Sequence, residues 1–214
     1  VTSLGACNVP VDEWKLDIVA SGSQKGYMIP PGLSFISMSK KAWEAVEKSN
    51  LPKFYLNLKS YRKSLLSNSN PYTPAVNLVF ALDEALKMMR EEGLDNIFLR
   101  HNKHKLAMSN AVKALNLKLF ADEKYLSPSI TAIKTEEIDA EEFRKTIKNN
   151  FDILLAGGQD HLKGKIFRVG HLGYVNDRDI ISVVSAISNT LLSLGKISAQ
   201  QAGEALIVAS KYLK

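Results

Sequence analysis

A lysine follows a short run of strand-forming residues near the beginning of the sequence, in a turn of small and polar residues. The run covers residues 16–21, and the segment SGSQKGYMIPPG at 21–32 places Lys25 just beyond it. The end of a buried strand can partly remove the lysine amine from water, which favours the neutral form that Schiff-base chemistry needs. Ser23 and Gln24 add neutral hydrogen-bond donors suited to a phosphate. The alternative is that Lys25 is an ordinary exposed lysine.

An arginine interrupts an apolar run in the second half of the chain. The segment KIFRVGHLG at 165–173 predicts a strand over 165–170 with Arg168 near its centre. A cationic side chain in a half-buried strand needs an anionic partner, and a planar guanidinium can bind a carboxylate through two hydrogen bonds. The carboxylate could belong to a substrate or to an internal Asp or Glu, and the residues alone favour neither. His171 is interpreted as a packing or hydrogen-bonding residue.

A third candidate is Thr73, in the segment NPYTP at 70–74. We predict that Thr73 is the N-cap and Pro74 the first residue of a helix that continues to residue 92. This role accounts for the motif structurally. A helix N-terminus with a free hydroxyl also binds anions, so a phosphate contact stays open.

The sequence predicts no metal site. His101 and His104 are three residues apart on a predicted helix, but no carboxylate has matching spacing, and we interpret both as part of a solvated helix face. The single cysteine, Cys7, can form neither an intramolecular disulfide nor a cysteine-rich zinc site, which is consistent with a reducing compartment. The glycine pair at the start of the loop 157–161 is interpreted as a turn without a catalytic role.

The composition is typical of a globular protein, with 214 residues, 45% hydrophobic and 23% charged. The net charge of +6 comes mainly from the segment between Lys40 and Lys63. These lysines follow predicted amphipathic helices and accompany no recognised nucleic-acid motif, so we predict no nucleic-acid partner. No stretch approaches the ~18 consecutive apolar residues of a membrane span.

The predicted elements change in character along the chain. Two strands, at 16–21 and 33–38, precede helices at 40–48, 56–66, 73–92 and 94–115. Further strands are predicted at 129–134, 153–156 and 165–170, and further helices at 139–149, 177–194 and 199–213. The first helix is predicted to begin at Ser39, and capping boxes are predicted for Asp139 with Glu142 and for Ser198 with Gln201. The change near Gly93 predicts a domain boundary between residues 1–93 and an α/β domain of residues 94–214.

The lysine segment and its PPG, together with VTSLG at residues 1–5, resemble the lysine region of class V pyridoxal-phosphate aminotransferases. The likeness is to the alanine/serine–glyoxylate (serine–pyruvate) branch, and it aligns the whole chain with roughly the C-terminal half of a family member. It implies an α/β fold of fold type I. Residues 1–93 would be the C-terminal part of the large cofactor domain, and residues 94–214 the small C-terminal domain. The aspartate that pairs with the cofactor's pyridine nitrogen would then lie upstream of Val1.

The resemblance also implies a pyridoxal 5'-phosphate cofactor and a role for each candidate. Lys25 would form the Schiff base with the cofactor and move a proton between the substrate α-carbon and the cofactor. Ser23 and Gln24 match positions near the cofactor phosphate, and Thr73 matches a threonine that reaches the phosphate bound by the other subunit of a dimer. Arg168 matches the arginine that binds the substrate α-carboxylate.

The expected activity is transamination between serine or alanine and glyoxylate or pyruvate, by a cytoplasmic homodimer with a shared active site and no membrane partner. Cysteine desulfurases of the same class place a histidine before the lysine and a nucleophilic cysteine on a later loop. Gln24 and the position of Cys7 therefore argue against desulfuration. The alternatives are another class V activity, or a non-catalytic interaction subunit that retains the fold.

Overall fold

A computed structural model describes all 214 residues, and the chain divides into two compact units. The first unit comprises residues 1–4 and 8–91, and the second comprises residues 5–7 and 92–214. The main division falls between Glu91 and Glu92, next to the boundary expected at Gly93.

The first unit combines a two-stranded antiparallel sheet with three helices. The strands are β1 (Ile18–Gly22) and β2 (Ser34–Met38), and the helices are α1 (Lys40–Lys48), α2 (Leu58–Leu66) and α3 (Val76–Glu92). Both predicted strands and all three predicted helices are confirmed, with shifts of one to three residues at some ends. The sheet pairs Ser21 with Phe35 and Val19 with Ser37, so the two strands bracket the loop that carries Lys25.

The N-cap residue of α1 is hydrogen-bonded to Asp17, the residue before β1. Ser39 is the N-cap, since its hydroxyl accepts the Ala42 N–H at 3.1 Å and donates to Asp17 Oδ1 at 2.7 Å. The hydrogen bond from Ser39, followed by that from Lys41, lowers the pKa of Asp17. The predicted helix start at Ser39 is thus confirmed, and its cap also fixes where β1 begins.

The start of α3 differs from the prediction. The helix begins at Val76, so Thr73 is not its N-cap. The Val76 N–H donates to Pro74 O at 2.9 Å in a tight turn, and Ala75 O accepts the first helical bond, from Val79 at 3.1 Å. A residue before proline is biased toward extended backbone, which places Thr73 outside the helix.

The first unit buries few large apolar side chains. Val19 and Met89 are buried, but Phe54, Leu66 and Phe80 are 80%, 82% and 71% exposed. Large side chains of this kind are normally covered in a self-contained domain. The first unit by itself therefore leaves an apolar surface uncovered.

The second unit is a sheet of four antiparallel strands packed against helices. The strands are β3 (Lys118–Leu119), β4 (Ile130–Lys134), β5 (Ala156–Gly157) and β6 (Ile166–Gly170), in the order β3-β4-β6-β5. The helices are α4 (Leu94–Ala114), α5 (Ala140–Phe151), α6 (Asp177–Ser193) and α7 (Ala199–Tyr212). None of the helices is long and apolar enough to span a membrane.

The core of the second unit lies on one face of its sheet. Ile133, Phe167 and Val169 are buried there together with helix residues such as Met108 and Ile187. Side chains alternate between the two faces of a strand. Arg168, which lies between two of these core residues, therefore belongs to the opposite face.

Three local features of the second unit differ from what the sequence predicted, and one is as predicted. The strand predicted at 153–156 is reduced to β5 at the sheet edge, and β3 was not predicted. Asp139 caps α5 by accepting the N–H groups of Glu141 and Glu142, but the Glu142 side chain does not return a hydrogen bond. The predicted capping box of Ser198 with Gln201 is confirmed at the start of α7.

The interpretation of His101 and His104 as a solvated face is wrong, because both are buried. His101 Nδ1 lies 2.7 Å from Ile97 O and must donate to it, while Nε2 accepts the Gly173 N–H at 3.1 Å. His104 Nε2 lies 2.9 Å from the Asp177 carboxylate. Both partners, Gly173 and Asp177, come from distant sequence, so spacing along α4 could not reveal them.

His171 is a third buried histidine, and it is confirmed as a hydrogen-bonding residue. Its Nδ1 donates to Pro128 O at 3.0 Å, and Nε2 lies 2.9 Å from Thr131 Oγ1. Because a carbonyl can only accept, Nδ1 carries the proton and Nε2 accepts from the threonine. The donor and the acceptor of the neutral ring are thus both satisfied, and a second proton on Nε2 would require the Thr131 hydroxyl to change from donor to acceptor.

We predict that the protein loses stability in weakly acidic solution. Burial lowers the pKa of His101, His104 and His171, and that of His171 to about 4. In the unfolded chain histidine titrates near ~6.5. Between these values the unfolded state binds protons that the folded state does not, so this stability is present above pH ~6.5 and is lost as pH falls toward 4. For His171 the difference corresponds to about 3 kcal/mol.

Urea unfolding of the full-length protein between pH 4 and 7 measures this effect. His171→Gln should flatten the pH dependence of the unfolding free energy, whereas His161→Gln, at an exposed position, should follow the parent. A His171→Gln profile as steep as the parent's would contradict the assignment.

Candidate active site

Lys25 lies in a loop whose two ends are held by β1 and β2. Its N–H donates to Gly22 O at 3.3 Å, and its own carbonyl accepts the Met28 N–H at 3.1 Å. The side chain is half-buried, and its Nζ has no hydrogen-bond or ion-pair partner in the chain. A lysine amine without a carboxylate neighbour is available to react with an aldehyde.

Ser23 shapes this loop from inside. It is fully buried, and its Oγ donates to Pro30 O at 2.7 Å and accepts the Leu33 N–H at 3.2 Å. Its backbone N–H donates to Leu33 O at 3.0 Å. The hydroxyl proton is therefore used within the loop, and Ser23 has none to offer to a phosphate.

Gln24 has a different environment from its neighbour Ser23. Its side chain is exposed and lies over the backbone of Gly22, where an added Cβ would be 2.7 Å from Gln24 Oε1. A residue larger than glycine at position 22 would displace this amide. The Gln24 amide has no hydrogen-bond partner in the chain, so its N–H groups can donate to a ligand.

The end of the loop is fixed by packing. Gly32 has φ +144°, and an added Cβ would lie 2.5 Å from Leu78 Cδ1 of α3. The rings of Tyr27 and Phe35 are 4.6 Å apart, which holds the loop on β2. The backbone around Lys25 is thus held by contacts on both strands and on α3.

Thr73 lies in the first unit, as Lys25 does, in the turn before α3. Its side chain is exposed and its hydroxyl has no partner in the chain. The segment before it is ordered by an aromatic cluster that sequence reasoning missed. In that cluster the Tyr55 and Tyr72 rings are 4.8 Å apart, and Tyr72 Oη donates to Phe54 O at 3.0 Å. Only the density of tyrosines around residues 55–72 hinted at it.

Arg168 lies in the middle of the outer face of the second unit's sheet. It pairs with Ala132 of β4 on one side and Ala156 of β5 on the other. Directly paired residues share a face, so two methyl-sized neighbours flank the guanidinium and do not cover it. The Nε donates to Gly157 O at 2.8 Å.

No Asp or Glu forms an ion pair with Arg168, so the internal salt bridge that the sequence left open is not formed. The two terminal nitrogens, Nη1 and Nη2, have no partner in the chain. Their parallel N–H groups match the two oxygens of a carboxylate. A carboxylate from outside the chain is the ligand that this arrangement suits.

A family model described as "Aminotransferase class-V" matches residues 1–179. The chain belongs to the class V aminotransferases. It is 58% identical, over 91% of its length, to 51% of a protein named soluble hydrogenase, small subunit, from a Synechococcus strain. It is 34% identical, over 100% of its length, to 54% of the serine–glyoxylate aminotransferase of Methylorubrum extorquens.

The crystal structure of pyridoxamine–pyruvate aminotransferase from Mesorhizobium loti matches 99% of this class V chain, with a TM-score of 0.91, 26% identity and 55% of that chain covered. The predicted family, its serine/alanine–glyoxylate branch and the α/β architecture of fold type I are confirmed. The enzymes of this family depend on pyridoxal phosphate. The chain spans about half the length of the relatives that it matches.

Proposed function

We propose that the protein transfers an amino group between serine or alanine and glyoxylate or pyruvate with pyridoxal 5'-phosphate as cofactor. The observation that carries this proposal is the half-buried Lys25, whose amine has no partner and whose loop is held by Ser23. Membership of the class V family makes an aldehyde cofactor the natural reaction partner for that amine.

The side chains of the first unit fit a cofactor that bears an aldehyde and a phosphate. Lys25 offers a free amine, and Gln24 and Thr73 offer an amide and a hydroxyl without partners. Ser23 does not fit the phosphate contact expected from the sequence, and we assign it the role of holding the loop. We propose that Gln24 donates to the phosphate directly. Thr73 would do so in the site of a second subunit, which makes the active protein a homodimer.

The chain's residues have separate roles in the proposed reaction. When bound, pyridoxal phosphate withdraws electrons from the substrate α-carbon. Lys25 Nζ would hold the cofactor through its aldehyde carbon and, once released by the substrate amine, would take a proton from the substrate α-carbon and return it to the carbon that carried the aldehyde. Arg168 binds the substrate α-carboxylate through Nη1 and Nη2, with its Nε retained by Gly157 O.

We further propose that residues 1–93 belong to the large cofactor domain and residues 94–214 form the small domain. The exposed side chains of Phe54, Leu66 and Phe80 support this proposal, because a surface of that kind needs cover from other chain. We propose that the remainder of the protein and a second subunit cover this apolar surface, and that the dimer is cytoplasmic.

A second candidate function is that of a non-catalytic subunit that keeps the fold. The relative named as a hydrogenase subunit, at 58% identity, favours it. The unpaired amine of Lys25 and the free guanidinium edge of Arg168 favour catalysis. The two candidate functions are distinguished by one half-reaction, in which an amino acid transfers its amino group to the bound cofactor. Only the catalytic protein carries it out.

The experiment mixes the cofactor-loaded, full-length protein with serine or alanine and no acceptor. We expect the visible absorbance of the bound aldehyde cofactor to change to that of its amine form, with release of one 2-oxo acid per site, and glyoxylate to reverse the change. Glycolate, a hydroxy acid without an amine, serves as the control. Bound cofactor that no amino acid converts would support the non-catalytic subunit.

A further inference from the structure

We infer that Glu141 and Arg144, a pair on α5, position Arg168 for carboxylate binding by way of the edge strand β5. The inference rests on the proposed role of Arg168. Glu141 and Arg144 were not among the candidates from the sequence, and both lie in the second unit together with β5 and Arg168.

Arg144 connects α5 to the chain leading into β5. Its Nε donates to Leu155 O at 2.8 Å, and its Nη1 donates to Glu141 Oε2 at 2.8 Å. The side chains of Arg144 and Glu141 are only 23% and 38% exposed. One guanidinium therefore holds the backbone before β5 and a neighbouring carboxylate at the same time.

The same pair packs directly against Gly157. A Cβ on Gly157 would lie 2.5 Å from Arg144 Nη1 and 2.7 Å from Glu141 Oε1. A Cβ at position 157 would force the ends of the Arg144 and Glu141 side chains to move, and glycine leaves both in place. Glu141 Oε1 is also buried without a hydrogen-bond partner, a cost that protein structures rarely carry without a reason.

The other side of β5 contacts Arg168. Gly157 O accepts the Arg168 Nε–H at 2.8 Å, and Ala156 is the register partner of Arg168. β5 has two residues and pairs only with β6, so its own ladder constrains it weakly. The hydrogen bond from Arg144 to Leu155 O constrains the position of β5 in addition to this ladder.

This arrangement decides which edge of the Arg168 guanidinium faces a ligand. A guanidinium can bind a carboxylate along the edge that includes Nε or along the Nη1–Nη2 edge. Because Gly157 O occupies Nε, the Nη1–Nη2 edge remains. The position of β5, set by Glu141 and Arg144, thus fixes the direction from which a carboxylate is bound.

The test compares alanine with alaninamide, which lacks the carboxylate, as amino donors in the half-reaction of the cofactor-loaded, full-length protein. Arg144→Met should reduce the preference for alanine over alaninamide about tenfold, since misplacing a binding group by a fraction of an ångström has effects of this size. The rate with alaninamide and the cofactor occupancy measured by visible absorbance should stay at the parent's level. Lys145→Met is the matched control, because Lys145 pairs with Glu142 on the same helix.

Gly157→Ala provides a second variant, which displaces the ends of the Glu141 and Arg144 side chains without removing a charge, and it should reduce the preference in the same direction. Arg168→Lys distinguishes the positioning role of Glu141 and Arg144 from the carboxylate-binding role of Arg168. If Arg168→Lys lowers the preference but neither Arg144→Met nor Gly157→Ala does, the positioning role is overturned and the proposed function stands. If Arg168→Lys leaves the preference unchanged, the carboxylate-binding role of Arg168 fails and the inference fails with it.

Discussion

Replacing Lys25 by alanine in the full-length protein is expected to abolish the visible absorbance of the lysine-bound cofactor and to slow transamination by roughly 10⁴-fold, the upper end of what a positioned acid–base group contributes. The reason is that, in the proposed reaction, the Lys25 amine both holds the cofactor and transfers the proton. No other amine lies in the loop 23–33. Absorbance spectra and single-turnover rates with alanine measure the two losses.

Lys63→Ala is the matched control, because Lys63 is an exposed lysine on α2 of the same unit. It should retain the parent's spectrum and rate. A Lys25→Ala protein with the parent's visible absorbance would show that a different amine holds the cofactor. Recovery of turnover by added methylamine, with no change in the control, would support proton transfer by the missing amine.

The second large effect is expected for Arg168→Lys, which should raise the KM for alanine or serine about 10- to 100-fold. Lysine keeps the positive charge but cannot form two parallel hydrogen bonds, and charge-assisted hydrogen bonds contribute about 1.5–3 kcal/mol each. The contact with Gly157 O is lost as well. Steady-state kinetics measure the KM for the amino donor, and titration with pyridoxal phosphate measures the cofactor affinity. We expect only the KM to change.

Arg178→Lys is the control for this change, since Arg178 is exposed at the start of α6. Its KM should equal the parent's. A loss of cofactor affinity as large as the loss of donor binding in Arg168→Lys would instead indicate a structural role for Arg168.

Local patterns in the sequence predicted most of the elements and the candidates in this fold. The Ser39 cap, the Ser198–Gln201 capping box and the two strands around Lys25 depend on neighbours within a few residues. The lysine motif is local too, with its turn residues at fixed spacing. Such features are encoded where they occur, so a single sequence suffices to predict them.

Features that depend on distant partners could not be predicted in this way. His101 and His104 look like a solvated pair until Gly173 and Asp177 are brought to them from more than seventy residues away. The hydroxyl of Ser23 looked free for a phosphate because Pro30 and Leu33 were not known to fold back on it. In both cases the polar partner is supplied by tertiary packing, which spacing does not report.

The contact between Arg144 and Gly157 is a similar case. The glycine was interpreted as a turn, and nothing in the spacing linked it to Arg144, thirteen residues earlier on α5. In the structure the ends of the Glu141 and Arg144 side chains occupy the space that a Cβ at position 157 would take. Arg168 itself was recognisable from its apolar strand, but the absence of an internal acid became evident only in the folded chain.

The most direct test of the account is to identify the lysine that carries the cofactor. The full-length protein is loaded with pyridoxal phosphate, reduced with borohydride and digested, and the modified peptide is located by mass spectrometry. We predict a single phosphopyridoxyl group on Lys25. Modification of another lysine in its place, or no modified peptide from protein that binds the cofactor, would contradict the account.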